Sequence, residues 1–199
     1  MLIIGAGNLG KHVLDILLYD GLLEEVAFYD DRSDIPDLVY GFPVFRDEKT
    51  VIDFFKKTGP SFIAAVGNNR LREKVTQRFE KLGGVYVSLI SSKACISKLT
   101  SLEQPIFIQP FVTLAHHVIA GKGCTLHANS VIGHDVILGN FVSVATLTTL
   151  IGPCEIGDYS FIGTQCLVMP GVKIGKHVVV GARSTVRRDL ADYETYTET

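Results

Sequence analysis

The chain has 199 residues, with 19 Lys and Arg against 21 Asp and Glu, and 47% of it is hydrophobic. That length allows one large or two small cores, and a formal net charge of -2 without a basic tract argues against a nucleic-acid partner. No apolar run reaches the roughly twenty residues of a membrane span, and the opening MLIIGAGNLG lacks a basic leader region, so a cytoplasmic location is expected.

In chain order, residues 2–4 form a short apolar strand that runs into Gly5-Ala-Gly7-Asn-Leu-Gly10 and then a helical pattern, KHVLDILLYDG. A strand at 25–31 follows and ends in Asp30 and Asp31. A helix at about 48–58, a strand at 60–67, an amphipathic helix at 68–83 opened by Asn68, and a strand at 85–90 complete this half. Strands alternating with helices imply a small α/β domain over residues 1–88, Rossmann-like and doubly wound. A Gly-x-Gly-x-x-Gly turn between strand and helix suits a phosphate, because glycine lets the backbone come close and the helix start offers free N–H groups. Asp30 ends the second strand, where a carboxylate would reach a ribose or a base. The alternative is a plain glycine-rich connection that permits close helix–sheet packing. One such unit is short for a hydride-transfer enzyme, so the nucleotide is expected as a handle on a substrate.

From Ile108 to Val186 every sixth residue is apolar: Ile108, Leu114, Ala120, Leu126 and onward in one register. Neither the helical period of 3.6 nor the strand period of 2 gives this spacing. The position two residues earlier is small or β-branched throughout, and glycine often follows the apolar residue, as tight corners would demand. The pattern predicts a left-handed parallel β-helix of hexapeptide repeats, with residues 89–106 as linker and start of the coil, 107–188 as the helix and 189–199 as a tail. Its flat faces suit packing against copies of itself, with sites in the grooves between them.

Cys124, Cys154 and Cys166 share the small inward position and read as core fillers, while Cys95 lies outside the repeat; none is a good nucleophile. His12 is expected on a surface and His177 facing solvent. His116 and His117, adjacent on an extended segment, would point to opposite sides, and no further ligand of suitable spacing suggests a metal. His134 stands apart: it lies two residues after the inward Ile132, outside the core, and Asp135 follows it. Such an imidazole accepts a proton near neutral pH and a carboxylate steadies its cation; the alternative is two polar residues at a corner.

Together GAGNLGKHVLDIL, the acidic pair in YDD, AAVGNNRLREKV and SVIGHDVILG within a hexapeptide β-helix resemble the bacterial sugar acetyltransferases. These include sialic acid O-acetyltransferases and N-acetyltransferases acting on UDP-4-amino sugars. The resemblance covers about residues 1–188 and implies a homotrimer that uses acetyl-CoA, without a metal. It makes His134 the general base and Asp135 its supporting carboxylate. It matches Gly5, Gly7, Gly10, Asp30, Asp31, Gly67, Asn68, Asn69 and Arg72 to the nucleotide-binding segments, and adds His127 to the substrate-binding set. Gly152 corresponds to an N–H donor for the thioester carbonyl, with Gly181 and Ala182 along the cofactor groove. This chain departs from the family pattern at Asn8-Leu9, Gly133 and Ser143, and in its tail, DLADYETYTET.

The implied reaction is acetyl transfer from acetyl-CoA to the amine of a nucleotide-linked amino sugar, of the UDP-4-amino-sugar type, by direct attack. The alternatives are O-acetylation of a sialic acid-type sugar, or a catalytically inactive trimeric scaffold that binds sugar nucleotides.

Overall fold

The computed structural model describes residues 1–23 and 25–198, and the chain divides into two compact units, Met1–Ser88 and Leu89–Thr199. In the first, β1 (Leu2–Ile4), α1 (Asn8–Tyr19), β2 (Ala27–Tyr29), β3 (Leu38–Val39), β4 (Phe42–Phe45), α2 (Glu48–Thr58), β5 (Ser61–Ala64), α3 (Asn69–Lys81) and β6 (Val85–Tyr86) build one sheet. Its order is β3-β4-β2-β1-β5-β6, parallel except for the β3–β4 hairpin. Leu2, Ile3, Ala27 and Phe28 are fully buried because β1 and the start of β2 are apolar on both faces. α2 is capped by Asp47, which accepts the Thr50 N–H at 2.8 Å, and α3 by Asn68, which accepts the Leu71 N–H at 2.9 Å.

The second unit is a left-handed parallel β-helix of three sheets with seven, six and five strands, visited in turn. One coil is eighteen residues, so Phe107 pairs with Thr125, Thr113 with Val131 and Ile119 with Ile137. All the sixth-position residues from Ile108 to Val186 lie in the core, none more than 3% exposed. The small residues two positions earlier join them, and several tie corners together. Cys124 Sγ donates to the Gly139 carbonyl at 3.1 Å, Ser160 Oγ to that of Gly175 at 2.7 Å and Cys166 Sγ to that of Gly181 at 3.0 Å. Burial pushes the Cys154 thiol up to about 12 and raises that of Cys166, which removes both as nucleophiles at neutral pH.

Two expectations about the coil change. Residues 89–106 form a complete first coil: strands Leu89–Ile90, Cys95–Ile96 and Ser101–Leu102 pair with those one coil later, and Cys95 lies inside the repeat, its side chain exposed. The glycine that follows an inward residue is not needed for a positive φ. That conformation falls two residues later, at Phe111, His117, Asp135, Phe141 and their equivalents. Gly133 is required because the next coil lies against it: a Cβ there would come within 2.8 Å of the Gly152 nitrogen and the Leu150 carbonyl oxygen.

The tail is a further coil out of register. Leu190 bridges Ile174, Thr195 and Tyr196 pair with Val179 and Val180, and Tyr193 extends a stack of Phe141, Tyr159 and His177. His177 is therefore half-buried between two tyrosine rings, 4.8 and 4.7 Å away, instead of facing solvent.

Candidate functional site

Two places gather the functional side chains, one in each unit. In the first, the C-terminal ends of β1, β2 and β5 open into a cavity of about 570 Å³ lined by Gly5, Gly7, Asn8, Leu9, Asp30, Asp31, Gly67 and Asn68 among others. The three glycines of the turn have different duties. Gly10 allows α1 to pack on β1, because a Cβ there would sit 2.0 Å from the Gly5 carbonyl oxygen. Gly5 has φ of 101° and lies against the Ala65 carbonyl. Gly7 meets only Arg32 Nη2 at 3.5 Å, so its backbone faces the cavity with room for a ligand. It is also the N-cap of α1, contributes no capping side chain and precedes a first turn without acidic residues, all of which leave the helix start open to an anion.

Asp30 does not present a free carboxylate. Its Oδ2 accepts the Ala6 N–H at 2.9 Å and Arg32 Nη2 at 2.9 Å, and its Oδ1 accepts Arg32 Nε at 3.0 Å. Burial pushes this carboxyl up, but the Arg32 guanidinium and the two backbone amides outweigh it and hold the group below the usual carboxylate range. Asp30 therefore clamps the glycine turn to the end of β2. The more open carboxylate is Asp31, held by Arg78 Nη1 at 3.4 Å. Asn69 and Arg72 do not line the cavity. Arg72 is fully buried and donates to the Val66 carbonyl at 2.9 Å and to Asn69 Oδ1 at 3.0 Å, bracing the loop that carries Gly67 and Asn68.

In the β-helix, His134 and Asp135 occupy the edge between the six- and five-stranded sheets. His134 Nδ1 lies 2.8 Å from Asp135 Oδ2, and both side chains are about half exposed, at 50% and 47%. This contact assigns the ring proton to Nδ1 and leaves the Nε2 lone pair available. Asp135 Oδ1 lies 3.3 Å from His117 Nδ1. The bond from His134 is the largest influence on the Asp135 carboxyl, and with the bond from His117 it outweighs desolvation and holds the group below the usual carboxylate range. His116, one coil before His134, stacks on it with ring centres 5.5 Å apart. His116 and His117 thus share one edge, because they sit on a corner where the chain is not extended. Gly152 lies one coil after His134, and among the described residues its N–H has no acceptor. His127, Gly181 and Ala182 lie on another edge, between the seven- and six-stranded sheets.

A family model of the PglD N-terminal domain matches residues 1–79, and one of the bacterial transferase hexapeptide repeat matches 153–188. Over 188 residues the chain is 26% identical to a GDP-perosamine N-acetyltransferase of Escherichia coli O157:H7, covering 90% of this chain and 82% of the relative. Among solved structures, the acetyltransferase domain of PglB from Neisseria gonorrhoeae in complex with acetyl coenzyme A superposes with a TM-score of 0.90. It is 27% identical, over 99% of this chain and 95% of that one. PerB from Caulobacter crescentus, in complex with CoA and GDP-perosamine, gives 0.89 at 29% identity over 99% and 93%. The chain is an acyltransferase of the left-handed β-helix type, similar over nearly its whole length to bacterial sugar acetyltransferases.

In this acetyltransferase, several site features escape sequence inspection. Tyr29, Arg32, Leu71, Val75, Arg78 and Phe79 all line the cavity of the first unit. Leu71, Val75 and Phe79 recur at helical spacing on α3, a signal equally expected of a core face. Gly181 has a structural duty: its N–H donates to the Tyr196 carbonyl at 2.7 Å, and a Cβ there would come within 2.6 Å of Thr197 Cγ2. Ala182, which follows it, is exposed. Among the described residues no helix is long and apolar enough to cross a membrane.

Proposed function

We propose that this chain transfers the acetyl group of acetyl-CoA to the amine of an amino sugar linked to a nucleoside diphosphate, with His134 as general base. The observation that carries this reading is the 2.8 Å contact of His134 Nδ1 with Asp135 Oδ2 on an exposed edge, with Nε2 left open. The names of the relatives, which act on or bind GDP-perosamine and CoA, support the class of both substrates.

The chemistry follows from those groups. The neutral amine attacks the thioester carbonyl carbon, and the C–N bond forms as Nε2 removes a proton from nitrogen. Asp135 stabilises the imidazolium so produced. The Gly152 N–H is the donor for the oxyanion. When the C–S bond breaks, the imidazolium returns its proton to the leaving thiolate. No acyl-enzyme is required, since the inward thiols are buried and holding both substrates together supplies the proximity.

The first unit holds the nucleotide, its diphosphate at Gly7 and the start of α1. Within one chain, His134 and Ala182 lie on different edges of the prism, so a groove that uses both is formed with a second copy, and the working assembly is a homotrimer. The test is release of free thiol from acetyl-CoA in the presence of nucleotide-linked amino sugars. Release that depends on the amino sugar and disappears in His134→Ala supports the reading. Nucleotide binding without turnover would identify a scaffold instead.

A further inference from the structure

The His134 edge carries more imidazole than proton transfer needs. His116, His117 and Asp135 each place one ligand atom within 4.8 Å of the others, and all three are exposed. The backbone prepares this arrangement. His117 and Asp135 occupy equivalent left-handed corner positions one coil apart, with φ of 58° and 55°, and the Asp135 N–H donates to the His116 carbonyl at 3.2 Å. Stacking of coils at eighteen residues therefore supplies the third ligand that spacing along the chain did not suggest.

We propose that His116, His117 and Asp135 form a binding site for a divalent transition metal ion of the zinc class. Two imidazoles and one carboxylate suit such borderline ions, whereas calcium or magnesium would call for more oxygen ligands. Bonds of about 2.0–2.1 Å in a tetrahedral shell set ligand atoms roughly 3.3 Å apart. His117 Nδ1 and Asp135 Oδ1 are already 3.3 Å apart. Rotation of the exposed His116 ring closes the remainder, and water takes the fourth position.

The site shares Asp135 with His134, which uses the other carboxylate oxygen. An ion on Oδ1 neutralises the charge that steadies the imidazolium and stands beside the ring that must take up a proton. Resting on the base assignment above, the consequence is that the ion suppresses acetyl transfer.

Titration calorimetry of the metal-free full chain with zinc chloride near neutral pH tests the site. The chain carries Cys95→Ser, because Cys95 is an exposed thiol that would compete. One ion per chain is expected, with affinity weakened roughly tenfold or more in both His116→Asn and His117→Asn. Asparagine tolerates the left-handed position at 117, and unchanged melting curves confirm that the variants fold. Cobalt in place of zinc should give visible bands without a sulfur charge-transfer band. No binding, or binding that neither asparagine variant weakens, overturns the site. In the thiol-release assay, equimolar zinc should lower turnover about tenfold, and His117→Asn should shrink that ratio. Zinc bound as expected with turnover unmoved would leave the site standing and overturn its control of the reaction. Failure of the transfer assay in metal-free protein would count against the acetyltransfer reading and leave the titration result intact.

Discussion

Gly152 and His134 touch through their backbones: a Cβ built on Gly152 would stand 1.5 Å from the His134 carbonyl oxygen. The coil carrying the proposed oxyanion donor therefore rests directly on the coil carrying the base, and the spacing between them is set by the absence of a side chain. Gly152→Ala must push the two coils apart. It should destabilise the β-helix by about 1–3 kcal/mol, in the range of overpacked sites, and reduce kcat as well. Melting curves and thiol-release kinetics on the same sample check both effects; an unchanged melting temperature would contradict the contact.

His134→Ala should cost about two to four decades in kcat, the range for positioned proton transfer, with acetyl-CoA affinity retained. Asp135→Asn should cost less, because the ring stays while the charge supporting its cation is lost. A pH profile of kcat/KM separates the enzyme's base from the substrate amine: a limb that belongs to the amine survives in His134→Ala, whereas a limb due to the base does not. Wild-type turnover in His134→Ala would remove the mechanism.

The glycine turn predicts opposite phenotypes at neighbouring positions. A Cβ placed on Gly7 meets only the end of the Arg32 side chain at 3.5 Å, so Gly7→Val should fold, raise KM for the sugar nucleotide and leave KM for acetyl-CoA nearly unchanged. Gly10→Ala, whose Cβ would collide with the Gly5 carbonyl oxygen at 2.0 Å, should lower stability first. Thermal melts paired with KM for each substrate distinguish the two, and an equal rise in both KM values for Gly7→Val would make that turn purely structural.

Asp30 gives a prediction with a definite sign. Its carboxyl is held below the usual range in the folded chain, so its contribution is present above the unfolded value of about 3.9 and is lost as pH falls through the lower folded value. Asp30→Asn should cost about 1–2 kcal/mol at neutral pH, since Arg32 is half exposed and partly screened. The gap in melting temperature between wild type and variant should narrow below about pH 4.

Tyr193, exposed yet stacked on His177 at 4.7 Å, ties the last coil to the prism. Tyr193→Ala should cost about 1 kcal/mol. Truncation after Arg188 removes the Leu190 bridge and the Thr195–Tyr196 strand as well, and should lower the melting temperature further. Denaturation curves of the two variants check the order.

Much of the architecture is legible in the order of residues because the β-helix is a one-dimensional stack. A sixth-position aliphatic must point inward, whatever lies elsewhere in the chain, so burial from Ile108 to Val186 follows from local spacing. The same rule extends back through Leu102 and Ile96, which are half-buried against that core, and ends at Ile90, which is exposed at the start of the first coil. It fails in the tail, where Leu190 pairs with Ile174 at sixteen residues instead of eighteen and the period is lost. The α/β alternation of the first unit is legible for a similar reason, as is the pairing of His134 with Asp135, neighbours in sequence.

What only the tertiary structure decided are the duties of single groups, because these depend on atoms brought close from distant positions. Asp30 matches the residue expected to reach a ribose, yet Ala6 and Arg32 occupy its oxygens. Arg72 matches a nucleotide-binding segment, yet it is buried against Val66 and Asn69. Gly181 matches a position along the cofactor groove, yet Tyr196 takes its N–H. His117 and Asp135 meet because one coil is eighteen residues long and both lie at the same left-handed corner. Periodicity sets which side of the backbone a side chain faces; its partner there is set by the next coil.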